Sequence, residues 1–290
     1  MSEASVKLVN SASARISNRK RRIIQQILNT VIFDGHRNLK KLLSMTIVNT
    51  LFIVLFLIIN ILQDNPPTKA TDYVLSYLNF FSFLILITAI LFGGSIIVED
   101  FEKQTGNLLF PKIERSRLLI GRYIARFSLA SLSLILYYIE IAFLTYINYE
   151  IVPAIMWESL GWTILYLHLV LSFVVLMSAL LNRIATAQVA SLLFLLMVFN
   201  IITQILMYSQ STIEPLFILT YYGNIITAWF NMPDPRYREI PRIPGPLGNG
   251  IKFYSWATPS ALDAIIGMIL YSTILLVLSY ILYRRKQVKT

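Results

Sequence analysis

Ionisable side chains are scarce where this sequence is most apolar, so the few that occur there are the first candidates for chemistry. Glu140, His168 and Asn200 each sit inside a long run of apolar residues, and an ionisable group in such a run is costly enough to suggest a role. A carboxylate near an imidazole could move a proton or meet a polar substrate along a path, and the amide would add a hydrogen-bonding group. Counted along helices from the same face of the layer they cross, Glu140 is roughly 10 Å deep and His168 roughly 12 Å deep, with Asn200 at a similar level. The first two could pair, because consecutive antiparallel helices are usually neighbours. The plainer alternative is polar glue between helices, worth about 0.6–2 kcal/mol per hydrogen bond. The rest of the chemical inventory is thin. Cysteine is absent, which excludes disulfides, thiolate metal sites and cysteine nucleophiles. The sequence has no H-E-x-x-H, no paired carboxylates in its apolar runs, no G-x-x-x-x-G-K-[S/T] and no strand-to-helix G-x-G-x-x-G, so neither a metal nor a nucleotide site is expected within the chain.

The elements that must hold these groups follow from composition. Of 290 residues, 56% are hydrophobic and 14% charged, with a mean hydropathy of +0.65; soluble domains carry about 25% charged residues. The apolar residues fall in blocks long enough to cross about 30 Å of hydrocarbon as helices. The blocks are 42–62, 77–98, 124–147, 160–181, 187–208 and 264–283. The expected fold is therefore an all-α integral membrane protein with a polar segment 1–41, a six-helix domain over 42–283 and a basic tail 284–290. Arg126, two residues inside the third block, is expected to snorkel to the phosphates.

Lysine and arginine set the orientation. Nineteen of the 25 lie on the side of both termini and five on the other, leaving Arg126 inside a span. Both termini are accordingly expected in the cytoplasm of a multi-pass protein. All four tryptophans, Trp157, Trp162, Trp229 and Trp256, fall on or beside the outer side, where amphipathic rings favour the interface. The net charge of +10 is thus a topology signal and implies no nucleic-acid partner. The first 22 residues have no apolar stretch of the kind a cleavable signal needs. After Arg19, Lys20, Arg21 and Arg22, the spacing of Ile23, Ile24, Ile27, Leu28, Val31 and Ile32 predicts an amphipathic helix. Such a helix could lie in the cytoplasmic interface with its cations near anionic lipid headgroups, or pack on a partner. Asp34-Gly35-His36-Arg37 is expected to be a turn that ends it.

Two connections carry most of the remaining information. The outer loop 209–263 holds seven of the eleven prolines, and its run from Pro233 to Pro246 predicts irregular backbone. Ahead of that run, 215–230 is apolar but too short to cross, which fits a re-entrant or interfacial helix. On the inner side, 99–122 packs four acidic and five basic residues around Leu108-Leu109-Phe110. An apolar knob framed by charge reads as a docking surface for a soluble partner; a solvated connector would have the same charge pattern.

That inner segment resembles a known family. Glu102-Lys103-Gln104-Thr105-Gly106-Asn107, Leu108-Leu109, Pro111, Arg115, Leu118-Leu119 and Gly121-Arg122 are similar to the junction of ABC-2-type transporter permeases: acidic-basic-x-x-Gly-Thr, a leucine pair, Pro, Arg and Gly-Lys. Asn107 stands for the usual Thr and Arg122 for the usual Lys, and the Leu–Pro distance is slightly compressed. The resemblance covers about 24 residues and agrees with the plan of an N-terminal amphipathic helix and six spans. It implies a subunit that pairs with a second permease copy, identical or diverged, and with ABC ATP-binding subunits that hold the ATP and Mg. Glu99, Asp100, Glu102, Lys103, Gly106, Leu108, Leu109, Phe110 and Arg115 would couple to the ATPase, with 99–110 as a coupling helix and export the usual direction. A membrane-embedded enzyme or secondary transporter using Glu140 and His168 is the alternative.

Overall fold

The computed structural model describes residues 3–62, 67–103, 109, 113–209, 212–239 and 254–286, with side chains from Arg21 onward. Six helical stretches in it are long and apolar enough to cross a membrane: Arg21–Leu62, Phe81–Glu102, Arg115–Tyr149, Ile155–Leu180, Ile184–Tyr208 and Ala261–Arg285. The chain is a multi-pass helical membrane protein.

Helix α1 (Glu3–Leu62) is a single unbroken helix. The turn expected at Asp34–Arg37 does not form, and the amphipathic segment continues directly into the first crossing. The physical reason is local: one glycine costs a helix only about 1 kcal/mol, and the residues beside Gly35 are tied down. Asp34 and Asn38 are buried, and Asn38 Nδ2 donates to the Asp34 carbonyl at 2.8 Å. The apolar stripe of the amphipathic segment is also split: Ile23, Ile27 and Val31 are half-buried, while Ile24, Leu28, Ile32 and Phe33 are exposed.

The second crossing is broken twice. Helix α2 (Ala70–Leu78) stops at Asn79-Phe80, α3 (Phe81–Gly93) follows, and turns over 94–97 lead into the short α4 (Val98–Glu102). The Ser178 hydroxyl accepts from the backbone N–H groups of Ile97 and Val98, both at 3.0 Å; it satisfies donors that the turn leaves without helical partners. Helices α5 (Arg115–Tyr149) and α6 (Ile155–Leu180) follow. Helix α7 (Ile184–Leu193) passes through a π-helical turn at Phe194–Val198 into α8 (Phe199–Tyr208), and α10 (Ala261–Arg285) closes the bundle. Burial separates a core from a rim: 78% of the most apolar window is buried in Phe81–Glu102 and 72% in α6, against 17%, 11% and 17% in α1, Ile184–Tyr208 and α10. The exposed Ile, Leu, Val and Phe of the rim helices are the surface that hydrocarbon covers.

Between α8 and α10, the apolar part of the long loop folds back on the bundle as a 3-10 turn (Leu219–Asn224) and the short α9 (Ile225–Ala228). Leu219, Tyr222, Ile225 and Ile226 are buried there, and Ser159 Oγ of α6 donates to the Ile226 carbonyl at 2.8 Å. Of the proline-dense run, residues 233–239 are described, and they include one short strand. Strands β1 (Tyr237–Glu239) and β2 (Tyr254–Trp256) form a two-stranded antiparallel ribbon. Its three-residue edge strand fits between Pro235 and Pro241, and such ends are where a sheet tolerates proline. Stacking of Tyr237 on Tyr254, centroids 5.6 Å apart, ties the ribbon together. This loop end of the bundle also holds all four tryptophans; the opposite, charged end is where α1, α4, α5 and α10 converge.

Candidate functional site

The charged end contains two linked clusters of ion pairs, and the first is built on Arg126. This side chain has no solvent exposure, so it does not snorkel. Its position on α5 points it at the α1–α3 junction, where Nε donates to Asp34 Oδ2 at 2.7 Å, Nη1 to Ser95 Oγ at 2.6 Å and Nη2 to Glu99 Oε2 at 3.2 Å. The Phe92 carbonyl, freed where α3 ends, takes a further bond at 3.2 Å. Arg37 bridges the same two carboxylates, at 2.7 Å from Asp34 and 2.9 Å from Glu99, and Lys103 meets Glu99 at 2.9 Å. Lys41 donates to Ser95 Oγ at 3.2 Å. A buried guanidinium is tolerable only when its fork is filled in this way.

The second cluster centres on Asp100, which is fully buried. Arg122 clasps it with two hydrogen bonds of 2.8 and 2.7 Å, and the Tyr283 hydroxyl donates to it at 2.6 Å. From there the contacts become tertiary helix caps. Arg115 Nη1 donates to the carbonyls of Tyr283, Arg284 and Lys286 at 2.7, 2.9 and 2.8 Å, closing the C-terminus of α10. Lys286 in turn donates to the carbonyls of Ala179 and Leu181 at the end of α6, and burial pulls its ammonium below the ordinary lysine value. Glu102 Oε2 accepts from the Ile184 N–H at 2.7 Å, at the start of α7. Each cap places a charge where the helix dipole favours it. Together they bind α4, α5, α6, α7 and α10 to one another at this end.

These contacts redistribute the residues expected at a docking surface. Glu99 and Asp100 are buried inside the clusters rather than presented outward, whereas Glu102 and Lys103 are exposed. Arg115 is a cap for α10. Leu109 is half-buried and lines a cavity of about 370 Å³ with Phe33, Asp34, Arg37, Leu118 and Arg122. Gly106, Leu108 and Phe110 lie outside the described residues. Of the basic run, Arg21 and Arg22 are exposed, and the side chains of Arg19 and Lys20 are outside the described set.

The polar layer of Glu140, His168 and Asn200 does not assemble. Glu140 accepts from Thr50 Oγ1 of α1 at 3.0 Å. His168 Nδ1 is 2.7 Å from the Tyr123 hydroxyl, and its ring lies edge-on to Phe127. Tyr123 is 17 residues from Glu140 on the same helix, a rise of about 25 Å. Asn200 is exposed and donates to its own helix at Leu196 O, 2.6 Å away. The expected common level fails at His168, because α6 starts at Ile155 rather than 160, whereas α5 and α8 end at Tyr149 and Tyr208, close to the expected bounds. Among the described residues no group of three or more His, Asp or Glu could hold a metal.

Sequence reasoning missed Asp34, Arg37 and Arg126 as a unit. A signal existed. Asn38, Asn49 and Asn60 recur every eleven residues, three helical turns apart, and all three are buried. Asn49 and Asn60 donate to Ser133 and Ser76 at 3.1 Å. An eleven-residue polar period marks one buried face of a long helix, and Asp34 lies one turn before its first member. No model of a known protein family matches this chain, and no curated protein does.

Proposed function

We propose that this chain is the membrane subunit of an ATP-driven transporter of the ABC-2 permease type, seated in the cell membrane with both termini in the cytoplasm. A separate ABC ATP-binding subunit would bind ATP and Mg, a second permease copy would complete the pore, and export is the expected direction. The observation that carries the reading is how the segment between Lys103 and Ile113 is mounted. On one side it leaves α4, whose Glu99 and Asp100 are wired to α1, α5 and α10; on the other it enters α5 beside Arg115, which holds the end of α10. A push on this segment is therefore delivered to several spanning helices at once. A loop with no mechanical task has no need of buried charges at its root, which are costly to desolvate.

In this mechanism Glu102 and Lys103, with the undescribed Gly106, Leu108 and Phe110, face the ATPase. Glu99 and Asp100 act behind them as positioning residues, passing the displacement to Arg126 and Arg122. The alternative of an enzyme or secondary transporter loses its convergent pair, since Glu140 and His168 have separate partners.

The test is site-specific crosslinking. A photo-crosslinking residue placed at Asn107 in the tagged full-length chain, expressed in its native membrane, should capture a protein that hydrolyses Mg-ATP. Glu102→Gln with Lys103→Gln, which keeps an acceptor for the Ile184 N–H and puts no like charge beside Glu99, should reduce that capture several-fold. Crosslinking to lipid alone, or to no ATP-hydrolysing protein, overturns the proposal.

A further inference from the structure

A second feature of the charged end is independent of the transport reading. Between α5 and α10 runs an open groove of about 360 Å³, walled by Leu119, Ile120, Ile124, Leu276 and Val277, with Tyr280 near its mouth. Ser116 and Tyr123 also border it, but the Tyr123 hydroxyl is turned inward to His168 and Ser172, at 2.7 and 3.0 Å. The groove therefore shows ring and aliphatic carbon along nearly all its length. From Ser116 to Ile124 it extends about 12 Å along α5, beginning at the charged end.

The mouth has the opposite character. Leu276 and Tyr280 are four residues apart on α10, and Arg284 continues the same face one turn further. Arg284 and Arg285 are both exposed. The last carbonyls of α10, which would repel an anion, are covered by Arg115. Among the described residues, Asp100 beside Tyr283 is clasped by Arg122, and Glu114 at the start of α5 is engaged by Arg117 at 2.9 Å. A dry slot for hydrocarbon thus opens on to a cationic rim at the depth where a membrane surface begins.

We propose that this groove is a binding site for an anionic phospholipid, with an acyl chain between α5 and α10 and the phosphate against Arg284 and Arg285. A zwitterionic lipid would place its own cation beside the same arginines. Each cation near a membrane surface favours an anionic lipid about fivefold, so two predict a preference of roughly thirtyfold.

The experiment uses the full chain purified in detergent, with phosphatidylglycerol or phosphatidylcholine of identical acyl chains added and retained lipid counted by native mass spectrometry. The parent should hold one phosphatidylglycerol per chain with roughly thirtyfold preference. Arg284→Gln with Arg285→Gln should abolish the preference. Val277→Trp, which fills the groove and leaves both cations in place, should abolish retention. Arg238→Gln, in the ribbon at the other end, should change neither. Equal retention of the two lipids, an undiminished preference in the arginine variant, or a Val277→Trp chain that holds lipid but no longer self-associates overturns the assignment; the last would make a second copy of the chain the occupant. The arginine variant changes only exposed side chains and remains decisive should Val277→Trp fail to fold.

Discussion

A guanidinium withdrawn from solvent has five N–H donors to satisfy, and Arg126 does so with carboxylates from α1 and α4, the Ser95 hydroxyl of the intervening turn and the Phe92 carbonyl at the end of α3. Removing it leaves Asp34 and Glu99 facing one fewer cation in a dry place. Loss of one partner from a buried ion pair typically costs about 3–5 kcal/mol, whereas replacing all partners by apolar groups of similar size is often close to neutral. Arg126→Met should therefore lower the thermal unfolding midpoint in detergent sharply. Arg126→Met combined with Asp34→Leu and Glu99→Gln should recover part of the loss, since Arg37 and Lys103 lose their carboxylates but are exposed enough to be hydrated. Arg126→Lys should fall between, because three ammonium donors cannot make the five hydrogen bonds of the planar guanidinium to Asp34, Glu99, Ser95 and Phe92. A single Met variant that melts with the parent would show that the cluster does not hold this end together. The cluster was only half legible in the sequence. Glu99 and Asp100 stand out as charges next to an apolar run, but nothing in one dimension says that Asp34 and Arg126, 92 residues apart, share a hydrogen bond. Snorkelling was the reasonable expectation for an arginine two residues inside a span, and it gave way because carboxylates from two other helices reach the same point.

Among the elements, the pairing of α1 with α5 shows how closeness is arranged. Gly121 of α5 faces Thr30 of α1, and a Cβ on Gly121 would sit 2.7 Å from Thr30 Cβ and 3.1 Å from the Ile27 carbonyl. That carbonyl is backbone and cannot rotate away. Gly121→Ala should force the two helices apart and destabilise the fold by about 1–3 kcal/mol, the usual cost of overpacking, while Gly161→Ala, with nothing within 4 Å of the added carbon, should be tolerated. Comparison of the two unfolding midpoints checks this, and equal behaviour would deny the close approach. The same scale explains what hydropathy could not give. A run of apolar residues reads alike whether it is one helix or three, so 77–98 looked continuous. Its breaks depend on partners far along the chain, such as the Ser178 hydroxyl that receives Ile97 and Val98. Conversely, the turn signal at Gly35 was overridden by the ion pair of Asp34 with Arg126 of α5 and by the burial of Asn38, which donates to the Asp34 carbonyl. The existence of six crossings was readable because length and apolarity alone decide it; the start of α6 was not, and the supposed layer of Glu140, His168 and Asn200 depended on it.

Across the whole molecule, the two ends of the bundle are chemically opposite. One gathers the buried ion pairs, Arg284 and Arg285; the other gathers Trp157, Trp162, Trp229 and Trp256, with Trp162 and Trp229 packed at 5.1 Å between centroids. Basic residues are retained on the cytoplasmic side during insertion, and indole rings favour the interface, so the charged end should face the cytoplasm. The chain contains no cysteine, which makes single introduced thiols unambiguous reporters. Glu114 beside α5 and Asn231 after α9 are exposed at opposite ends. With a membrane-impermeant maleimide, Asn231→Cys should label in intact cells and Glu114→Cys only after the membrane is opened. The reverse pattern would place Glu102, Lys103 and the segment they introduce away from any ATP-hydrolysing partner, and the transport mechanism would fail with it. The lipid groove would survive that result, because its occupant is selected by the charge of a headgroup rather than by the compartment it faces, and the phosphatidylglycerol measurement would then have to be read for the other leaflet.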